Sequence, residues 1–198
     1  MARRALRALQ LLMVVSVSSY ALAQSSSIDT TNSKLTVYVS KAGLFSALGD
    51  NHEVAAPISA GSVDEGARKV ILVIEAARLR VLDPKLAPDK REQVQQRMLG
   101  PDVLDIAHFA QIRFESNTVS SADGGWNVEG QLSLHGTTRP IVLNVRKKNG
   151  HYSGACTIKQ RDFGITPVSV GGGAVRVKDE MKIEFDIVTK FANNNQRP

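Results

Sequence analysis

Two runs of alternating apolar residues, Leu132 and Leu134 followed by Ile141, Leu143 and Val145, flank the short segment 136–140. In a strand, side chains two positions apart share a face, so each run presents one oily face. The segment 130–145 therefore reads as a β-hairpin with Gln131, Ser133 and His135 on the opposite face. Pro140 falls at the expected start of the second strand, where its missing N–H costs little. A face of this kind has to be covered, either by a packed interior or by an interior left open for a ligand. The hairpin alone leaves that choice open.

The same period recurs along the chain. Leu35, Val37 and Val39 show it, as do Val70, Leu72, Ile74 and Ala76, and Ile112 with Phe114. Trp126 and Val128 follow an Asp123-Gly124-Gly125 turn after a strand expected to end at Val119. The stretch from Tyr152 to Ile158, the pair Val175 and Val177, and the series Met181, Ile183, Phe185 and Ile187 bring the expectation to about eight strands. Antiparallel strands at this spacing favour a closed barrel or a sandwich. The fold class is all-β.

One stretch breaks the pattern. Residues 89–99 hold good helix formers, with Asp89 as the expected N-cap after Pro88 and with Val94, Met98 and Leu99 at helical spacing. Pro101 ends it, and a further short turn is expected over 102–107. The apolar edge is narrow, so this helix is expected to lie against a barrel mouth as a lid.

The N-terminus points to export. Arg3, Arg4 and Arg7 precede an apolar run over 11–17, and Ala21-Leu22-Ala23 offers a small-x-small cleavage site, so residues 1–23 read as a secretory signal peptide. The run falls short of the roughly 20 residues a membrane span needs. The expected location is the periplasm of a Gram-negative bacterium, with secretion to the exterior as the alternative. Residues 24–192 then form one domain, and 193–198 form a polar, disordered tail.

Composition narrows the function classes. The net charge is +6 for the whole chain, and removing three leader arginines leaves 22 basic against 19 acidic side chains, or +3. The basic residues are dispersed among acids, without the dense patch and interleaved aromatics that nucleic-acid binding requires. Cys156 is the only cysteine, so no internal disulfide forms. Its place in a strand-like run suggests a buried, inert thiol. The four histidines, His52, His108, His135 and His151, show no metal-ligand spacing, and the best metal nucleus is His52 with Asp50 and Glu53. Ser46 with His52 and Asp50 lacks the G-x-S-x-G elbow of a hydrolase. Asp102 and Asp105 fall in a polar turn where solvation is the usual state. Neither a catalytic centre nor a metal site is expected.

Three blocks of sequence carry a resemblance. They are Arg97-Met98-Leu99 through Asp105 and on to the run from His108 to Ser116; the run from Gly130 to Pro140; and Arg161-Asp162-Phe163-Gly164-Ile165. In this order they resemble the YceI-like family of secreted proteins, and the likeness spans nearly all of the mature chain. Many members have a His at the position of Arg97 and a Pro at that of Ala110. Residues 43–52 resemble a branch of the family with a Gly-Leu-Phe turn.

The resemblance implies an extended, lipocalin-like antiparallel barrel with an elongated apolar cavity for a polyisoprenoid or similar amphiphile. A barrel of about eight strands has room for one slender ligand. Few aromatic residues serve the chain, so aliphatic side chains are expected to line most of the tube. The expected lining is Val39, Leu44, Phe45, Ile74, Met98 and Leu104, continued by Phe109, Phe114, Leu132, Leu134, Phe163 and Ile165. A rim is expected from residues 43–52, 89–104 and 161–165, with Arg97, Arg161 and His52 near the head group. Asp162 is the alternative partner of Arg161. The implied ligand is an isoprenoid quinone, a polyprenyl lipid or a fatty-chain lipid, bound with selectivity for the chain and tolerance of the head. The expected partner is that lipid, with a homodimer as a further possibility and no nucleic acid or membrane span. The rival readings are a packed structural or protein-interaction barrel and a metal-dependent enzyme.

Overall fold

The computed structural model describes residues 25–42, 51–170 and 175–190. The expected signal peptide, the expected C-terminal tail and the lining residues Leu44 and Phe45 lie outside the described residues. The elements in chain order are β1 (Ser26–Ser27), β2 (Lys34–Ala42), β3 (His52–Ala55), β4 (Ala60–Asp64), β5 (Lys69–Glu75) and β6 (Arg80–Val81). After α1 (Pro88–Leu99) come β7 (Gln111–Ala122), β8 (Gly125–Leu134), β9 (Thr137–Lys148), β10 (His151–Lys159), β11 (Ser169–Val170) and β12 (Val175–Val188).

All twelve strands belong to one sheet, ordered β1-β4-β5-β7-β8-β9-β10-β12-β2-β3-β6, with β11 paired to β12. Every pairing is antiparallel. The sheet curls until Ile28, just past β1, bridges to Thr189 beyond β12. This is the expected antiparallel barrel. Its strand number differs from eight because β1, β3, β4, β6 and β11 are short pieces of two to five residues, too brief to show a period, while the expected separate runs at 175–177 and 181–187 form the single strand β12.

The hairpin of β8 and β9 turns on His135 and Gly136 alone, with φ of 49° and 71°. Two successive positive φ values make the tight turn that matches strand twist, and glycine adopts the second without strain. β9 therefore starts at Thr137, and Pro140 lies inside it and not at its start. β10 pairs with β9 only between Asn144↔Ala155 and Lys148↔His151, so Pro140 sits on an edge-like stretch where a missing N–H is tolerated. The two strands diverge there around a notch on the barrel wall, bridged where Arg139 Nε donates to the Asp162 carbonyl at 2.9 Å. β7 runs on to Ala122, three residues past the expected end.

A bulge between Ser116 and Thr118 interrupts β7. Ser116 is fully buried, and on the opposite side of β7 its Oγ accepts the Val70 N–H of β5 at 2.8 Å, one residue beyond the last β5–β7 pair, Ile71↔Glu115. On α1 the N-cap is Ala87, with Pro88 at the first position and Asp89 inside the first turn, in place of the expected Asp89 cap. Proline suits that position because its absent N–H has no helical partner to lose.

Two apolar clusters divide the interior. Ile28, Ile58, Val63, Tyr152 and Ile187 pack together at the end where β10 begins and β12 finishes. This plug closes one end of the barrel. Beside it Glu65 accepts hydrogen bonds from Lys147 Nζ and Tyr152 Oη. The larger cluster, including Val54, Ile74, Phe114, Leu132 and Leu143, surrounds the remaining length, and α1 lies over the other end.

Candidate ligand-binding cavity

Inside the larger cluster is a cavity of about 530 Å³. Its walls follow the strand parity read from sequence. β2 contributes Leu35, Val37 and Val39; β8 contributes Leu132 and Leu134; β9 contributes Ile141 and Leu143; and β12 contributes Met181, Ile183 and Phe185. The helix supplies Val94 and Met98, four positions apart and so on one face. A cavity of this size and aliphatic character is typical of small-ligand sites.

Of the expected lining residues within the described chain, Val39, Ile74, Met98, Leu104, Phe114, Leu132, Leu134 and Ile165 border this cavity. Phe109 and Phe163 do not. Phe109 packs against His135 in a tilted pair, with ring centroids 4.5 Å apart and planes 59° from parallel, and sits against Gly136 at the hairpin turn. Phe163, 1% exposed, ends a 3-10 turn over Gln160–Phe163 and packs in the core beside the outer notch. That turn breaks the two-residue period, so Phe163 and Ile165 do not share a direction as they would in a strand.

Among the expected rim residues, Arg97 and His52 border the cavity and Arg161 does not. Arg161 is drawn outward by Asp179 on β12. The Asp179 Oδ1 accepts the Arg161 backbone N–H at 2.9 Å, and its Oδ2 lies 3.8 Å from Arg161 Nε. Asp179, not Asp162, is therefore its carboxylate partner.

His52 faces the cavity on β3. Its Nδ1 shares a hydrogen bond with Asp83 Oδ2 at 2.6 Å, and Asp83 Oδ1 accepts the Glu53 N–H at 2.8 Å. Asp83 is missing from the sequence-based expectations because 31 residues separate it from His52 and its surroundings follow no period. Among the described residues no group of three or more His, Cys, Asp and Glu side chains converges, so the nucleus around His52 and Glu53 gathers no further ligand there. Asp50 lies outside the described residues.

Cys156 lies on β10 between the cavity and the notch and borders both. Burial pushes its thiol up to about 11. Sequence reasoning also missed Lys41 and Arg176, which border the cavity together with Lys90 from the expected 89–104 rim. Lys41 had a visible signal, since it continues the Leu35, Val37, Val39 parity by one more step.

Fold and cavity together define a class: an antiparallel barrel, plugged at one end, around an apolar chamber. The family model described as YceI-like domain matches residues 27–189, and the chain belongs to that family. It is 32% identical over 101 residues to a UPF0312 protein of Pseudomonas savastanoi pv. phaseolicola, covering 45% of this chain and 50% of that one. A UPF0312 protein of Shewanella baltica is 26% identical over 121 residues, covering 55% and 63%. The chain thus spans about half the length of the curated relatives it matches. The crystal structure of Burkholderia cenocepacia BcnA superposes with a TM-score of 0.59 at 19% identity, over 81% of this chain and 98% of that one, a likeness of fold.

Proposed function

We propose that this protein is a non-catalytic carrier that holds an isoprenoid or other long-chain amphiphile in the barrel, with the tail in the cavity and the head toward α1. The observation that carries the reading is the cavity of about 530 Å³ walled by aliphatic side chains from most of the long strands. An apolar chain entering it gains roughly 25 cal/mol for each Å² removed from water, with dispersion contacts in addition. The signal-like N-terminus supports a periplasmic location, where a lipid in transit or storage needs shelter from water. Isoprenoid quinones, polyprenyl lipids and fatty-chain lipids all suit the chamber.

Native mass spectrometry on protein purified from a periplasmic extract, followed by organic extraction, tests this. A stoichiometric apolar adduct is expected. A clean apo mass, unchanged when isoprenoid quinones and long-chain lipids are offered, would contradict the carrier reading and favour a packed or protein-binding barrel.

A further inference from the structure

The cavity is apolar along its length but not at its mouth. Five basic side chains border it: Lys41, His52, Lys90, Arg97 and Arg176. Among the described residues that border it there is no carboxylate.

These groups gather at one end. Lys41 is near the finish of β2, where Lys41 pairs with Val177 and Ala42 with Arg176 across the sheet. His52 opens β3, and the Lys41 backbone N–H donates to the neighbouring Asn51 at 3.3 Å. Lys90 and Arg97 are seven residues apart on α1, two turns, and so share the face that carries Val94 and Met98. The helix is fastened to the same end through Gln95, whose Nε2 donates to the Leu79 carbonyl and whose Oε1 accepts the Val81 N–H. The plug of Ile28, Ile58 and Tyr152 closes the opposite end.

Among the described residues, the charges at the mouth are poorly compensated. Asp83 takes His52, and Asp102 approaches Arg97 only to 3.7 Å. Among the described residues, Lys41, Lys90 and Arg176 have no carboxylate within ion-pair distance. At the plugged end, by contrast, Glu65 is paired with Lys147, and along the wall Glu115 is paired with Lys69. Lys41 also occupies an inward position of β2, following Leu35, Val37 and Val39. An amphiphile inserted tail-first brings its head group to this set of cations.

We infer that the ligand is a single-chain amphiphile with an anionic head, a phosphate or a carboxylate, selected at the mouth by Lys41, Lys90, Arg97 and Arg176. The inference rests on the carrier reading and narrows it, replacing head-group tolerance with a preference for negative charge. Guanidinium and ammonium groups at a low-dielectric opening favour such a head over a neutral one of equal chain, and added salt weakens that preference.

The test measures affinities of the mature protein for two chain-matched pairs, geranylgeranyl phosphate with geranylgeraniol and oleate with oleyl alcohol, at about 25 and 500 mM salt. The anion of at least one pair is expected to bind about tenfold more tightly than its alcohol at low salt, or about 1.4 kcal/mol. The advantage should shrink at high salt. In a Lys41→Gln/Lys90→Gln/Arg176→Gln variant it should fall below about twofold, with a retained cooperative urea-unfolding transition as proof that the barrel is intact. An advantage confined to the phosphate or to oleate supports the inference and names the source of the charge. Equal affinity for anion and alcohol in both pairs would overturn the inference and leave the carrier reading standing. An advantage that survives in the variant would overturn the assignment to these residues. Failure of all four compounds to bind would overturn both readings.

Discussion

The Asp83 carboxylate, 4% exposed, lies 2.6 Å from His52 Nδ1 and also accepts the Glu53 N–H, locking the start of β3 to the loop after β6. Its removal leaves two partly buried polar groups without a partner. Asp83→Ala is expected to cost about 2 kcal/mol by urea denaturation, the scale for unpaired buried polar groups. A loss under about 0.5 kcal/mol, the range of ordinary surface changes, would show that water replaces the carboxylate and that this lock is not structural.

Filling the tube should block it without unfolding the barrel. Leu132 is buried on β8, opposite Phe114 across the β7 pairing, and borders the cavity. Leu132→Trp is expected to fold with a loss of no more than about 3 kcal/mol, the range for overpacking. Geranylgeraniol affinity should fall at least about tenfold, or 1.4 kcal/mol. Unchanged stability together with unchanged affinity would remove Leu132 from the binding tube.

Cys156 offers a native reporter. Burial pushes its thiol from 9.0 up to about 11, which lowers the thiolate fraction at pH 8 by about 100-fold. Maleimide labelling should be slower than that of a free thiol by about this factor. Saturating ligand should slow it further, because Cys156 borders the cavity. Labelling at the free-thiol rate would show an open, hydrated wall between cavity and notch.

Hydrogen bonds from Lys147 and Tyr152 hold the Glu65 carboxyl below its ordinary value of 4.5. A carboxylate lowered in the folded state adds stability that is present above its unfolded value and lost as pH falls through the folded one. Half of the Glu65 side chain is exposed, so the contribution is about 0.5 kcal/mol at pH 7. Wild type should exceed Glu65→Gln by that amount at pH 7, with the difference closing as pH drops below 4.5. A constant difference down to pH 3 would show that the loss is one of packing and not of charge.

Much of the barrel was legible because strands write their inner face at every second residue. Leu35 to Val39, Leu132 to Leu134 and Met181 to Phe185 each named their own cavity side, and the helix announced itself by a change of period. The short strands were hidden: β4 reads Ala60-Gly61-Ser62-Val63-Asp64, with a single large apolar side chain. Residues in turns were misplaced for a related reason. Phe163 and Ile165 look equivalent in sequence, yet the 3-10 turn separates them, leaving only Ile165 at the cavity. Partners distant along the chain, such as Asp83 for His52 and Asp179 for Arg161, follow from how the sheet curls and not from any local pattern. Lys41 was readable by parity, but its charge disguised an inward position.

The central claim is that the ligand chain lies inside the barrel, and methyl NMR on Ile/Leu/Val-labelled protein titrated with geranylgeraniol tests it most directly. The methyl groups of Val37, Ile74, Leu132 and Ile183, all bordering the cavity, should shift together and saturate at one ligand per chain. Those of Ile58 and Ile187 in the plug, and of Val142 on the outer wall at 54% exposure, should stay near their free positions. Shifts confined to Val142 and other outward residues, with the four cavity positions unmoved, would contradict the account.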